Sequence, residues 1–258
     1  MGTKTRRDWY VLAEEWANSL WDQNLVVLLT NGQVTAQQLH PLASNYTFLV
    51  RLQGQNGTES LAIYKPEKGE TPLWDFPDGT LYKREYATYV IAQALGWDFV
   101  PPTVIRDGPY GKGSMQLYVE HDYQEHYFTL REKFSTDFKR ICLFDWIANN
   151  ADRKAGACLL GVGGHIWGID HGLTFHEMPK LRTVIWEFAD QLIPTPLLED
   201  LEKLRDRLVS ADNLLSTLTE LLSFGETEAL VGRLNLILEQ ATFPAPPTNR
   251  RGWPWPWY

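Results

Sequence analysis

Most strand-like segments precede residue 120 and most helical ones follow it, and that division restricts the fold more than any other feature. Up to about residue 120, short apolar runs are punctuated by Gly, Pro and Asn, the pattern of strands and tight turns. Candidate strands are 25–29, 47–52 and 61–64, separated by Asn31-Gly32 and by the turn from Gly54 to Gly57, then 103–106 and 114–119 around the turn 107–111. A single helix is expected between them over 81–95, with Gly96 as its stop signal and Tyr86, Tyr89, Val90 and Ala94 on or near its apolar face. From about Asp137 the pattern is helical. The apolar segment 138–148 leads into a polar loop, two short strands follow around 158–161 and 166–169, and 197–209, 213–222 and 226–240 read as amphipathic helices. The order predicts an antiparallel strand-rich part followed by a mainly α part, without internal repeats.

Both ends of the chain depart from this scheme. Trp9, Leu12, Ala13, Trp16 and Leu20 fall at helical spacing and predict a leading amphipathic helix that packs on the domain. The last 16 residues hold five of the chain's 15 prolines and three tryptophans, so this tail cannot form a regular helix; it is expected extended, docked by its aromatics or free.

At 258 residues and 44% hydrophobic, the chain can bury a sizeable core. A net charge of -8 without a Lys/Arg-rich run excludes a surface devoted to nucleic-acid phosphates. The two cysteines, Cys142 and Cys158, lack the spacing of a disulfide framework or a zinc site and fit a reducing cytoplasm. No stretch approaches the roughly 20 apolar residues needed to cross a bilayer, and no signal peptide is expected.

Two carboxylates carry the chemical reading. Asp152 lies in the loop Asn149-Asn150-Ala151-Asp152-Arg153-Lys154 that follows the apolar helix, where it can orient or deprotonate an attacking hydroxyl. Asp170 opens the turn Asp170-His171-Gly172 after two short strands, where it can hold a magnesium ion while glycine lets the backbone reverse. Lys65 closes an apolar strand and Glu85 lies on the next helix, the pairing that steers an ammonium towards nucleotide phosphates. Each of these has a plainer reading: a solvated strand-end lysine, a helix-face glutamate, a loop aspartate paired with Arg153. The residues Ser44, Asn45 and Tyr46 stand where a glycine-rich phosphate loop would, and alone they read as an ordinary hairpin turn that could offer N–H groups and a hydroxyl. His165, His171 and His176 match no specific zinc spacing and are ranked as hydrogen-bonded histidines above metal ligands.

Together these residues resemble the bacterial branch related to the phosphatidylinositol 3- and 4-kinase catalytic domain, which shares a kinase-like fold with the HipA protein kinases. The resemblance runs from about residue 25 to 190 through Ser44–Phe48, Tyr64-Lys65-Pro66, Gly69-Glu70, Pro72–Pro77, Arg84-Glu85, Leu95-Gly96-Trp97, Val100–Thr103, Arg106–Pro109, Asn149–Lys154, Asp170-His171-Gly172 and Lys180–Thr183. It implies an α+β, two-lobed protein-kinase-like fold, which places an N-lobe over 25–120 and a C-lobe over 121–242 between the leading helix of 1–24 and the Pro/Trp-rich tail of 243–258 already read from the residues.

The same resemblance implies ATP between the lobes. Lys65 would hold its phosphates, Glu85 would hold Lys65, and the hinge over 116–120, with Gln116, Tyr118 and Val119, would meet adenine. Asp152 would be the catalytic aspartate and Asp170 the Mg2+ ligand. One position departs from the pattern: the relatives place an asparagine five residues after the catalytic aspartate, and here that residue is Ala157. Asn150 ranks above His171 as a substitute, because magnesium prefers oxygen. The expected function is phosphorylation of a protein or small-molecule hydroxyl by Mg-ATP, the acidic chain arguing against lipid, with peripheral membrane contact through the Trp segments left open. A nucleotide-binding module without turnover and transfer of AMP on the same fold are the alternatives.

Overall fold

The computed structural model describes residues 23–40, 45–210, 213–248 and 251–258. The expected leading helix lies outside the described residues. The chain enters through α1 (Gln23–Asn31), where sequence periodicity predicts a strand over 25–29. The apolar run is too short for its period to decide. As a helix it buries Leu25, Leu28 and Leu29 on one face and leaves Val27 56% exposed. The first strand is instead the polar segment β1 (Gln33–Leu39), which carries no alternating apolar signal because it lies at a sheet edge and is largely exposed on both faces.

Four further strands follow: β2 (Phe48–Gln53), β3 (Glu59–Pro66), β4 (Thr103–Gly108) and β5 (Gly111–Leu117). Among the described residues the five form one sheet in the order β1-β2-β3-β5-β4, all neighbours antiparallel. Phe48, Val50, Leu52, Ala62, Tyr64 and Met115 face the side covered by α1 and form a compact apolar cluster with Leu25, Leu28 and Leu29.

Helix α2 (Leu81–Leu95) interrupts the strands over the predicted range, and Gly96 ends it in a left-handed conformation at φ 68°. Its N-terminus is capped from outside: the Glu70 carboxylate accepts hydrogen bonds from the backbone N–H of Leu81 (3.1 Å) and Tyr82 (2.8 Å). Tyr89, Val90 and Ala94 pack at the margin of the buried face, near where they were expected. Tyr86, Tyr89, Val90 and Ala94 are half-buried, whereas Ala87, Ile91, Ala92 and Leu95 are buried in the core of the second half, with Arg84 and Glu85 buried beside them.

The second half is helical: α3 (Tyr127–Leu130), α4 (Ser135–Ile147), α5 (Thr195–Val209), α6 (Asn213–Leu221) and α7 (Phe224–Gln240) surround one large core that includes Phe138, Phe144, Ile147, Leu201, Leu204, Leu230 and Leu234. The short pair β6 (Cys158–Leu160) and β7 (Ile166–Gly168) forms a separate antiparallel hairpin. The molecule is therefore α+β, with an antiparallel lobe and a mainly α lobe, and α2 packs into the core of the latter.

The tail is docked by the rings of Phe243 on Phe188 (5.5 Å) and Tyr258 on His126 (5.0 Å) and by backbone carbonyls. Phe243 and Pro254 are buried, Gly252 O accepts from Thr183 N–H (3.1 Å) and from the Trp186 indole (3.2 Å), and Trp257 O accepts from Ala155 N–H (2.8 Å). Its tryptophan rings stay at the surface; Trp255 is 73% exposed.

Candidate active site

Lys65 lies near the end of β3, paired with Ser114 of β5, so its ammonium leaves the sheet at a fixed position. Its Nζ bonds Glu85 Oε1 of α2 and, at 2.9 Å, Asp170 Oδ1, which follows β7. The other Glu85 oxygen accepts His171 N–H at 3.0 Å. Three elements separated by 20 and 105 residues thus meet on one ammonium. Burial works against the Lys65 charge, but Asp170 and Glu85 together hold its pKa well above the ordinary lysine value. Lys65 in turn holds the Asp170 carboxyl below the usual carboxylate range.

Asp170 itself adopts the left-handed conformation, at φ 61°. The turn was expected to reverse at Gly172, yet the strained residue is the aspartate; a Cβ on Gly172 would make only ordinary contacts with Glu85 and Leu81, at 3.5 and 3.6 Å. The Asp170 carboxylate remains 64% exposed. This is a fit for magnesium: an ionised, accessible, hard-oxygen donor, with no cluster of three or more His, Cys, Asp or Glu among the described residues that would cage a metal by itself. Magnesium is usually held by one or two carboxylates and by substrate phosphates.

Helix α4 delivers the loop containing Asp152. Asn149, left-handed at φ 51°, donates to the carbonyls of His176 (2.8 Å) and Met178 (2.7 Å) and accepts from Lys180 N–H. Asn150 is buried, donating to Asp145 Oδ1 (2.9 Å) and accepting from Asp152 N–H (3.0 Å). Its amide first serves to shape the loop. Arg153 does not pair with Asp152. It is completely buried, bonds Asp145 through Nε and Nη2, donates to the carbonyls of Ala157 (3.2 Å) and Ile169 (2.9 Å), and meets His171 Nε2 at 2.6 Å. Arginine only donates, so Nε2 accepts and the neutral ring carries its proton on Nδ1, which has no hydrogen-bond partner among the described residues. Burial, with Arg153 and Lys65 nearby, keeps His171 neutral by pushing its pKa far down. It is a buried structural histidine, as ranked from sequence.

The Asp152 carboxylate is paired with Lys154 at 3.1 Å and is 28% exposed. Burial raises its pKa above the ordinary aspartate value, against the pull of Lys154 and, more weakly, Arg182. Ala157, in the position expected for asparagine, is buried, with its N–H on Lys154 O and its carbonyl on Ile169 N–H.

The residues expected at the nucleotide fall in three groups. Ser44 lies outside the described residues. Asn45 accepts from Thr71 N–H (2.8 Å), Tyr46 donates to Gly69 O (3.0 Å), and a Cβ on Gly69 would strike the Tyr46 side chain at 2.5 Å, so the 45–46 strip lies tight against 69–71. Gln116 is buried with its amide on Thr103 (2.9 Å), while Tyr118 donates its N–H to Leu61 O and pairs its hydroxyl with Tyr123. Sequence reasoning missed the apolar surface around Val119: Leu159 and Trp167 are buried against it, and Ile169 packs on them one residue before Asp170. It also missed Asp145, whose signal was a charge inside the apolar run of α4, and Arg84, taken up below.

A family model described as phosphatidylinositol 3- and 4-kinase matches residues 105–221. Protein Rv2133c of Mycobacterium tuberculosis is 36% identical over 265 residues, covering 89% of this chain and 94% of that protein. Among solved structures, the Golgi casein kinase with Mn/ADP bound superposes with a TM-score of 0.56 at 14% identity, over 84% of this chain and 74% of that one. Hydra Fam20 with sugar gives 0.55 at 12% identity over 93% and 89%, and the Helicobacter pylori proinflammatory kinase CtkA 0.52 at 13% over 83% and 94%. These structural likenesses establish the two-lobed kinase-like fold. The chain belongs to the family of Rv2133c, a bacterial, kinase-like branch related to the phosphatidylinositol 3- and 4-kinase catalytic domain.

Proposed function

We propose that the protein is an atypical kinase-like phosphotransferase that uses Mg-ATP to phosphorylate a hydroxyl on a protein or small molecule. The observation that carries this reading is the Lys65 ammonium bridging Glu85 and Asp170, a cation and a metal-competent carboxylate assembled at one point. On this reading residues 25–120 form the nucleotide-binding lobe, 121–242 the catalytic lobe and 243–258 a bracing tail. Lys65 holds the nucleotide phosphates, Glu85 fixes Lys65, and the surface formed by Val119, Leu159, Trp167 and Ile169 takes adenine, with the backbone of 116–120 as hinge. Asn45 and Tyr46, with Ser44, border the phosphates.

Asp170 is the metal ligand we assign. Asn150 has a second lone pair on its buried amide oxygen but is committed first to Asp152 N–H. When bound, magnesium would neutralise charge developing on the transferred phosphoryl group. Asp152 accepts the acceptor's hydroxyl proton as the acceptor oxygen bonds the γ-phosphorus; the bond from that phosphorus to the bridging oxygen breaks, and ADP leaves. Lys154, 3.1 Å from Asp152, adds positive charge where phosphate passes. A net charge of -8 supports a non-lipid acceptor, and the two free, buried cysteines support a cytoplasmic setting. No helix among the described residues is long and apolar enough to cross a membrane.

The test is ADP release and transfer of label from γ-labelled ATP by the purified protein in the presence of a cell extract. The expected result is labelling that vanishes in Asp152→Ala and Asp170→Ala; equal labelling in wild type and Asp152→Ala removes the catalytic claim. Ala157 favours one second reading, a nucleotide-binding regulatory module with little turnover. It predicts a thermal shift with Mg-ATP and no Asp170-dependent ADP release.

A further inference from the structure

We propose that Arg84 and Glu226 are positioning residues for the turn that carries Asp170, a role that rests on the reading above. Arg84 stands next to Glu85 on α2 and is almost completely buried, 90 residues in sequence from the carbonyl it reaches. Its Nη1 donates to Thr174 O at 2.6 Å and its Nη2 bonds Glu226 Oε1. The Thr174 hydroxyl closes back onto His171 O at 2.8 Å, and His171 N–H is held by Glu85 at 3.0 Å. Adjacent residues of one helix therefore grip both ends of the segment 171–174: Glu85 takes its first N–H and Arg84 its last carbonyl.

Glu226 anchors this grip to the other lobe. It is the third residue of α7's capping box, with one oxygen accepting Ser223 N–H at 2.9 Å and the other on Arg84. The relay runs from the start of α7 through Glu226, Arg84 and Thr174 to a turn whose aspartate sits in a left-handed conformation. Such backbone strain persists only where the surroundings over-determine it. A buried ion pair is poor value as stability alone, since an apolar pair of similar volume packs as well. What the guanidinium adds is two donors in a fixed fork, one on the turn and one on the anchor.

The test measures ATP affinity with and without MgCl2, by calorimetry, for wild type, Arg84→Met and Glu226→Gln, each checked for folding by circular dichroism. Wild type is expected to bind more tightly with magnesium. In both variants that magnesium-dependent gain should fall about 10–100-fold, the range for groups that orient a metal ligand. The metal-free affinity, carried by Lys65 and Glu85, should stay within about twofold. Arg84→Lys, which keeps the charge but loses the fork, should not restore the gain. An unchanged gain, an equal loss with and without magnesium, or failure of both variants to fold would overturn the positioning role and leave the proposed activity standing. Wild-type affinity indifferent to magnesium would instead remove the metal-dependent reading itself, and the positioning role with it.

Discussion

Asp170 and Asp152 are held by opposite means. Asp170 is held by charge: its carboxylate touches the Lys65 ammonium, its neighbour His171 is tied to Glu85, and its own backbone is in a strained conformation. Asp152 is held by scaffold: its carboxylate meets Lys154, while the loop beneath it is fixed by Asn150 and by the buried Asp145–Arg153 pair. The environments push the two carboxyls apart, Asp170 below the usual range and Asp152 above it. Such divergence is how one site supplies both a carboxylate that stays ionised and one that can take up a proton. The proposed division into metal ligand and base follows from it.

The largest effect should come from removing the base without touching the scaffold. Asp152→Asn keeps shape and leaves the Asp145–Arg153 pair intact, so turnover should drop about 10²–10⁴-fold, the usual contribution of a positioned base. Stability should change by about 1 kcal/mol or less, since a partly exposed pair with Lys154 is worth little and the amide leaves no charge to desolvate. Steady-state ADP release beside a urea melt checks both halves; an equal loss of stability and activity would erase the distinction between the two carboxylates.

Arg153→Met is the converse experiment. It strands the Asp145 carboxylate in a completely buried position, and breaking such a pair costs about 3–5 kcal/mol. Urea denaturation should register it, and turnover should fall with the loop even though the substituted side chain never meets substrate on this reading. Deleting 251–258 should act on the same side of the site and more weakly. It removes the carbonyl partners of Ala155 N–H, Thr183 N–H and the Trp186 indole, three hydrogen bonds worth roughly 0.5–1.5 kcal/mol each. ATP affinity, set on the Asp170 side, should hold within about twofold while turnover declines; a parallel loss of ATP affinity would show that the tail braces both sides.

The same contrast governs what the sequence disclosed. Lys65 and Glu85 were legible because each stands on a regular element, β3 or α2 with Gly96 behind it, whose period and stop signals are local; Asp170 was legible from the glycine-containing turn that follows two short strands. The supports were not. Asp145 is one of several charges on α4 and Arg84 stands in the charged run Lys83-Arg84-Glu85 of α2, and nothing in sequence says that their partners lie eight and 142 residues away. At the N-terminal edge the reading failed for a different reason. Residues 25–29 are apolar throughout, so only tertiary packing decides between helix and strand, and the polar β1 is a strand because β2 offers it a partner. The tail was legible as non-helical, but its attachment through the carbonyls of Gly252 and Trp257 leaves no side-chain signature.

Lys154→Met addresses a charge that acts on both carboxylates. Lys154 is the main influence pulling the Asp152 carboxyl down against burial, and Asp170 is the nearby charge pushing it up. Removing the ammonium therefore raises the Asp152 pKa further. A base works only when deprotonated, so the acid limb of the pH–rate profile should move to higher pH in the variant, with turnover least affected on the alkaline side of that limb. The sign is opposite to what loss of a phosphate contact alone would produce, which lowers turnover at every pH without moving the limb. Profiles of kcat for wild type and variant under saturating ATP separate the two. An unmoved limb would mean that the carboxylate titrating in the rate is not the one beside Lys154.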